Sequence, residues 1–301
     1  MDQIRIAVVG LGSRNQALLR AVLAAEEFAV VGASDHDTQQ VDSLAGAFGD
    51  VELYGDSRQM ILQTKPDLVF VSIPPAQQFA AMEFLAMEGI AAFRSGPLAR
   101  DLTEASSVVR MFRDTQVALG AGNPRRALGS YRAMMSAKPD GLSSVRCEVA
   151  SCVEGSLGWR GDRKSSGGGV LLYPGLEMID VLIEAAGLPE AVYAAARIDR
   201  PAAGDTVTPV HDTDDTAMAL FHYGNRAIGH WFATRTNGPA REEIELFSPA
   251  GRVCATASSL TEFDPVGQLI EQETWNDTYG DAACDQALQF AREVAAGNPA
   301  S

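Results

Sequence analysis

The chain has 301 residues, 46% of them hydrophobic, which is enough apolar material for one large or two medium packed domains. Its formal net charge of −15 excludes a nucleic-acid backbone as partner, because displacing counterions takes a basic face. No apolar run nears the roughly 18 residues of a membrane-spanning helix, and the N-terminus enters the first strand with no room for a signal peptide, so a cytoplasmic protein is expected.

Ile4, Ile6, Ala7, Val8 and Val9 form the apolar run of a parallel strand buried on both faces. Gly10-Leu11-Gly12-Ser13-Arg14-Asn15 follows at once. Residues 16–25 carry an amphipathic helical pattern, and residues 30–34 read as a second strand closed by Asp35. This is the layout of a dinucleotide site: backbone amides and a helix N-terminus hold the pyrophosphate, and the acid accepts ribose hydroxyls. Gly10 permits the tight turn and Gly12 a close approach of backbone to phosphate. Asn15 stands where a third glycine is usual, which predicts a slightly displaced helix or a polar contact to the ligand. Asp35 repels a 2′-phosphate and so favours NAD over NADP, although Arg14 and His36 soften that repulsion. The alternative is a structural turn with Asp35 as a strand-end cap.

Lys65-Pro66-Asp67 leads into a strand over 68–73 that breaks at Pro74-Pro75. A helix over 77–87 with Gly89 as its C-cap, a strand over 90–93, a helix over 103–113 and a strand over 117–120 complete an alternating series. Such alternation predicts an α/β fold with a doubly wound parallel sheet, a Rossmann domain over residues 1–120. Beyond residue 120 the pattern changes. Strands are expected over 145–153, 192–198, 216–222, 227–233, 244–248 and 251–257, with helices only over 175–186 and 282–295 and a loop over 200–215. That predicts an α+β domain over 121–301 with a large, mostly antiparallel sheet.

Cys147, Cys152, Cys254 and Cys284 show no paired spacing, so they read as buried free thiols, the first two on opposite faces of one strand. His36, His211, His222 and His230 form no ligand pair, and no structural metal is expected. His211 falls in an acidic run, His211-Asp212-Thr213-Asp214-Asp215, and reads as a loop histidine.

These features together resemble the Gfo/Idh/MocA family, the glucose–fructose oxidoreductase and inositol dehydrogenase-like proteins. The resemblance rests on the Gly10/Gly12 turn, Lys65-Pro66-Asp67, Pro74-Pro75 and Gly122-Asn123-Pro124-Arg125-Arg126. It continues through Trp159-Arg160, Gly167-Gly168-Gly169, Gly175 and Asp180. It implies an NAD(P)-binding domain, a second domain for substrate and oligomerisation, a homodimer or homotetramer, and a substrate lying between the domains. The implied substrate is a sugar, cyclitol or related carbonyl or hydroxyl compound. Ser13, Arg14, Pro74 and Pro97 would join the glycines, Asn15 and Asp35 at the cofactor.

Where proton chemistry is expected, the chain departs from the family. The Glu-Lys-Pro segment is matched by Ser95-Gly96-Pro97, so Gly96 replaces the lysine beside the nicotinamide. Tyr173 stands at the usual aspartate position and Glu177 at the usual histidine position. A general acid or base contributes about 10²–10⁴-fold, and glycine supplies none of it. Tyr173 and Glu177 are four apart and on a helix would share a face, a possible proton donor and its partner. Otherwise they are polar residues filling a lost site. Lys164 reads as a solvated loop lysine. Arg160 would anchor a hydroxylated or carboxylate ligand or form an ion pair. Asn123 and Arg126 would line the cleft or shape the turn into the second domain, and Asp180 would serve packing. Gly297-Asn298-Pro299 resembles a loop that in relatives precedes a final helix on the nucleotide domain. The resemblance leaves three functions open: an NAD(P)-dependent oxidoreductase, an inactive relative that binds dinucleotide or a sugar-like ligand as sensor or partner subunit, or an enzyme that uses and regenerates its bound cofactor in a net elimination or hydrolysis.

Overall fold

Alternate residues of the first strand belong to two different cores, which is why its sequence is apolar throughout. The computed structural model describes residues 3–151, 156–199, 211–236 and 239–297, and the chain divides into two units, Met1–Gly122 with Ala283–Ser301, and Asn123–Ala282. In β1 (Ile4–Val9), Ile6 and Val8 pack with Leu68, Phe70 and Phe93, whereas Ala7 and Val9 pack with Met60, Val69 and Met82 on the other face. The first unit continues through α1 (Ser13–Ala24), β2 (Phe28–Ser34), α2 (Thr38–Ser43), β3 (Leu53–Tyr54), α3 (Ser57–Thr64) and β4 (Leu68–Val71). It closes with α4 (Pro75–Met87), β5 (Ala91–Ser95), α5 (Leu102–Asp114) and β6 (Leu119–Gly122). All pairings are parallel, in the order β3-β2-β1-β4-β5-β6. The order reverses at β1, so the loop after β1 lies at the switch point where open α/β sheets bind ligands. This is the expected doubly wound sheet.

Helix starts deviate from the periodic pattern for local reasons. Proline at the first helical position loses no hydrogen bond, so α4 begins at Pro75 rather than 77. Gly89, with φ +71°, follows its C-terminus as expected.

The second unit contains a 3₁₀ turn (Pro124–Ala127), α6 (Gly129–Ala137), β7 (Ser144–Ala150), a second 3₁₀ turn (Gly158–Gly161), α7 (Arg163–Ser166) and α8 (Gly175–Ala186). Seven further strands follow: β8 (Ala191–Arg197), β9 (Thr216–His222), β10 (Ile228–Thr234), β11 (Arg241–Ser248), β12 (Gly251–Thr256), β13 (Ser259–Phe263) and β14 (Leu269–Thr274). They form one sheet in the order β14-β13-β12-β11-β7-β10-β9-β8, antiparallel except for the β7–β10 pair. One face, carrying Cys147, Trp231, Ile244 and Leu246, packs against Met178, Val181 and Leu182 of α8 and Tyr131 and Met134 of α6. Burial raises the Cys147 thiol well above its ordinary value. Cys152 and Val153 lie outside the described residues, as does the 200–210 part of the expected loop.

The expected domain boundary needs one correction. The last helix, α9 (Tyr279–Ala295), belongs to the first unit from Ala283 onward. Its Ala287, Phe290 and Ala291 are buried in the core of that unit, and Phe290 lies 5.4 Å from the ring of Phe93. A second domain running unbroken from 121 to 301 would strand this apolar stripe. Asn298 and Pro299 of the expected terminal loop lie outside the described residues.

Candidate functional site

The turn after β1 is shaped by its two glycines in different ways. Gly10 has φ +92°, and a Cβ there would collide with the carbonyl oxygen of Ser72, so the polypeptide itself demands glycine. Gly12 has an ordinary extended conformation, and a Cβ there would meet no protein atom within 4 Å. Its missing side chain instead leaves the start of α1 open. No side chain caps that helix and no acid sits in its first turn, so its leading amides and positive dipole end are available to an anion. Ser13 and Arg14 lie in that first turn.

Asp35 accepts hydrogen bonds from the amides of Leu11 at 2.7 Å and Asp37 at 3.0 Å, and the His36 ring lies 3.2 Å away. The acid is therefore fixed to the same turn as Gly10 and Gly12. Asn15 turns its amide nitrogen toward the protein. It is buried, and its Nδ2 donates to the carbonyls of Val9 at 3.1 Å and Gly10 at 2.7 Å, bracing the turn from inside. A cavity of about 280 Å³ opens beside Gly10 and Asp35. Ser34 on its wall is fully buried, with a hydroxyl that has no hydrogen-bond partner. Pro74 caps α4. Pro97 follows Gly96 through a cis peptide, and its carbonyl accepts from Arg94 Nε at 3.2 Å. Arg94 escaped the sequence reading, although a charge inside the strand Ala91–Ser95 was the available signal. Its buried guanidinium also donates to the Val71 carbonyl at 3.4 Å and ties two strand ends together.

In the second unit, Tyr173 and Glu177 do not form a pair. Tyr173 precedes α8, donates to the Ser166 carbonyl at 3.2 Å, and meets Trp159 edge to face at 5.4 Å. The Arg160 guanidinium lies 4.4 Å from the Trp159 ring centre and 5.8 Å from that of Tyr173. Glu177 faces a buried cluster. Arg125, only 8% exposed, binds both Glu177 and, at 2.6 Å, Glu242. The hydroxyl of Tyr279 donates to Glu177 at 2.9 Å, and that of Tyr131 to Glu242 at 2.8 Å. Burial disfavours the Arg125 charge, but the two carboxylates outweigh it and raise its pKa above the ordinary arginine value. Asn123 caps the 3₁₀ turn and donates to Glu177 O and Asp180, while Arg126 forks onto Asp180 at 2.6 and 2.9 Å. These residues knit the turn onto α8. Lys164 is exposed on α7.

The acidic run clamps the glycine-rich segment. Asp214 accepts from the amides of Gly169 at 2.8 Å and Leu171 at 2.9 Å, and a Cβ on Gly169 would overlap the Asp214 backbone. Thr213 donates to the Arg160 carbonyl, and Asp212 accepts from the Arg163 amide. His211 binds Asp215 at 2.7 Å, and Arg235 binds the other oxygen of that acid at 2.8 Å.

Residues 4–123 match the model of the oxidoreductase family with an NAD-binding Rossmann fold, and residues 142–254 match the GFO/IDH/MocA C-terminal domain. The chain belongs to the Gfo/Idh/MocA family. Its first unit is an NAD-binding Rossmann domain. No curated protein matches the sequence. Among solved structures, levoglucosan dehydrogenase in complex with NADH and levoglucosan has a TM-score of 0.85 at 18% identity, covering 100% of this chain and 92% of its own. GenD2 from gentamicin A biosynthesis, in complex with NAD, has a TM-score of 0.82 at 18% identity, covering 100% and 89%. UDP-N-acetylglucosamine 3-dehydrogenase GnnA from Acidithiobacillus ferrooxidans has 0.78 at 17%, covering 99% and 91%. At such identities the likeness is one of fold.

For a Gfo/Idh/MocA protein the first unit is well furnished. The open start of α1, the anchored Asp35 and the orphaned Ser34 hydroxyl all fit a dinucleotide. Gly96 offers no proton, and its amide is engaged by the Gly122 carbonyl at 3.1 Å. Among the described residues, Glu243, Glu245 and Cys254 place ligand atoms within 4.8 Å of one another. Arg146 and Arg252 bind the Glu245 carboxylate, while burial and then Glu243 push the Cys254 thiol up to about 12. The two arginines make Glu245 the centre of an ion-paired patch.

Proposed function

We propose that the protein is an NAD-dependent oxidoreductase of a small polyhydroxylated or carbonyl compound, a sugar or cyclitol. The single observation that carries this reading is the uncapped start of α1, laid open by Gly12 beside an Asp35 that is pinned to the Leu11 amide. That levoglucosan dehydrogenase and the UDP-N-acetylglucosamine 3-dehydrogenase GnnA share this fold supports the substrate class. Asp35 selects NAD, because a 2′-phosphate would face a carboxylate whose two oxygens are fixed by backbone amides. When bound, the nicotinamide exchanges a hydride with the substrate carbon.

The chain must then supply or take one proton at the substrate oxygen. Tyr173 is the group assigned to that task, with the Arg160 guanidinium to attract the oxygen as it gains negative charge. Glu177 is occupied by Arg125 and Tyr279 and acts as a strut. The outer face of the second unit's sheet supports self-association into a dimer or tetramer.

The test is calorimetry with NAD and NADP, followed by a sugar and cyclitol panel in which absorbance of the reduced cofactor is recorded. Binding of NAD and turnover of at least one substrate are expected. Firm NAD binding with no turnover across the panel would replace this reading with that of a ligand-binding relative.

A further inference from the structure

We infer that Arg58 closes an adenine-binding pocket in the first unit and sets its affinity for the adenosine half of the coenzyme, an inference that rests on the coenzyme reading above. The cavity beside Gly10 is about 280 Å³, just below the roughly 300–1,000 Å³ usual for ligand sites. It suits a nucleoside rather than a whole dinucleotide. Its lining combines apolar Ile61, Ile73, Ala80, Phe84 and Leu85 with polar Ser34, Asp35 and His36. Asp35, bonded to the Leu11 amide of the glycine turn, suits a ribose, and the apolar residues suit a flat base.

Arg58 stands at the second position of α3 and lines the same cavity. Its guanidinium carbon lies 5.2 Å from the centre of the Phe84 ring, so the cation is held against the aromatic wall. A guanidinium in that place offers a purine a planar, weakly hydrated surface on which to stack. Arg58 is otherwise exposed, and the unliganded fold gains little from it beyond that ring contact. A 2′-phosphate is the competing occupant for the same charge. The nearby Asp35 and Asp56 carboxylates oppose it.

The experiment is titration calorimetry of the full chain with NAD, 5′-AMP and 2′,5′-ADP, on wild type, Arg58→Ala and Arg58→Lys. Because Arg58 is exposed, both variants should melt as wild type does. Arg58→Ala is expected to weaken 5′-AMP and NAD alike by about five- to thirtyfold. Arg58→Lys, which keeps the charge but loses the plane, should fall within about twofold of Arg58→Ala. Unchanged 5′-AMP affinity in Arg58→Ala would overturn the inference, as would a loss confined to 2′,5′-ADP or full rescue by lysine. Wild-type protein that binds neither NAD nor 5′-AMP would overturn the coenzyme reading itself.

Discussion

A carboxylate locked against a buried guanidinium is a poor proton carrier, and Glu177 is in that position. Arg125 is shared between Glu177 and Glu242, so removing one carboxylate weakens the charge balance without abolishing it. Glu177→Gln is therefore expected to cost about 2 kcal/mol of stability, seen as a lower melting temperature with unchanged NAD affinity. Tyr173→Phe should behave in the opposite way. Its hydroxyl donates to the Ser166 carbonyl at 3.2 Å, a bond between neutral groups, so stability should fall by about 1 kcal/mol. Loss of its proton should lower kcat by roughly 10²–10⁴-fold. Thermal melts and steady-state kinetics on the two variants separate strut from acid; a stable Glu177→Gln with collapsed kcat would reverse the assignment. The spacing of Tyr173 and Glu177 suggested a shared face, but only the helix could enforce that, and α8 begins at Gly175, after Tyr173. The partners that decide Glu177 were illegible in sequence. Glu242 and Tyr279 come from distant segments, and nothing local to Arg125 points to either. Asp35 was legible because its partner Leu11 lies within the same βαβ motif.

Elements were read well where burial imposes a period and poorly where it does not. The helix over Gly175–Ala186 was found whole because Met178, Val181, Leu182 and Ala185 recur at helical spacing. Six-residue α2 buries nothing, and α3 buries only Met60 and Ile61, so neither leaves a stripe to detect; their capping acids Asp37 and Asp56 were the better signal. β14 is exposed along its whole length and shows no alternation. The run 211–215 read as a loop, which it is, but its work as a clamp depends on contacts to residues 160–171 that no periodicity announces. That clamp makes a prediction at this scale. Asp215 is 1% exposed. Burial alone would raise its pKa, yet bonds from His211 and Arg235 outweigh that and leave it below the ordinary aspartate value. An acid lowered in the folded state contributes stability that is complete above its unfolded pKa of about 3.9 and is lost as pH falls through the lower folded value. Asp215→Asn leaves the buried Arg235 without its counter-charge, so it should cost about 3–5 kcal/mol at pH 7. Melting curves taken from neutrality down past the carboxylate range should show the gap between wild type and variant closing as the wild-type acid is protonated. A gap that stays constant with pH would mean that the pair contributes packing only.

At the scale of the molecule, two features oppose each other: a charge of −15 and an uncovered apolar strip. On the sheet face turned away from the core, Tyr193, Leu220 and His230 lie in one row across β8, β9 and β10, with Ala195, Met218 and Phe232 in the next. Met218 is 55% exposed and Leu220 60%, unusual for strand residues of this size. Contiguous apolar surface on a sheet marks a contact site, and burying it against a second copy would remove area worth about 25 cal/mol per Å² from water. Like charge works against that contact. Its range is about one Debye length, roughly 8 Å at 0.15 M salt and about 3 Å at 1 M, so added salt should strengthen association instead of weakening it. Light scattering on the wild-type chain should give a dimer or tetramer whose population grows from low to high salt. Replacing Met218 and Leu220 together by Glu should yield a monomer at every salt concentration with its melting temperature little changed, since neither side chain is in the core. If the double variant keeps the wild-type mass, or if salt dissociates the wild type, the contact is polar and lies elsewhere, and the ion-paired patch around Arg146, Glu245 and Arg252 becomes the surface to test.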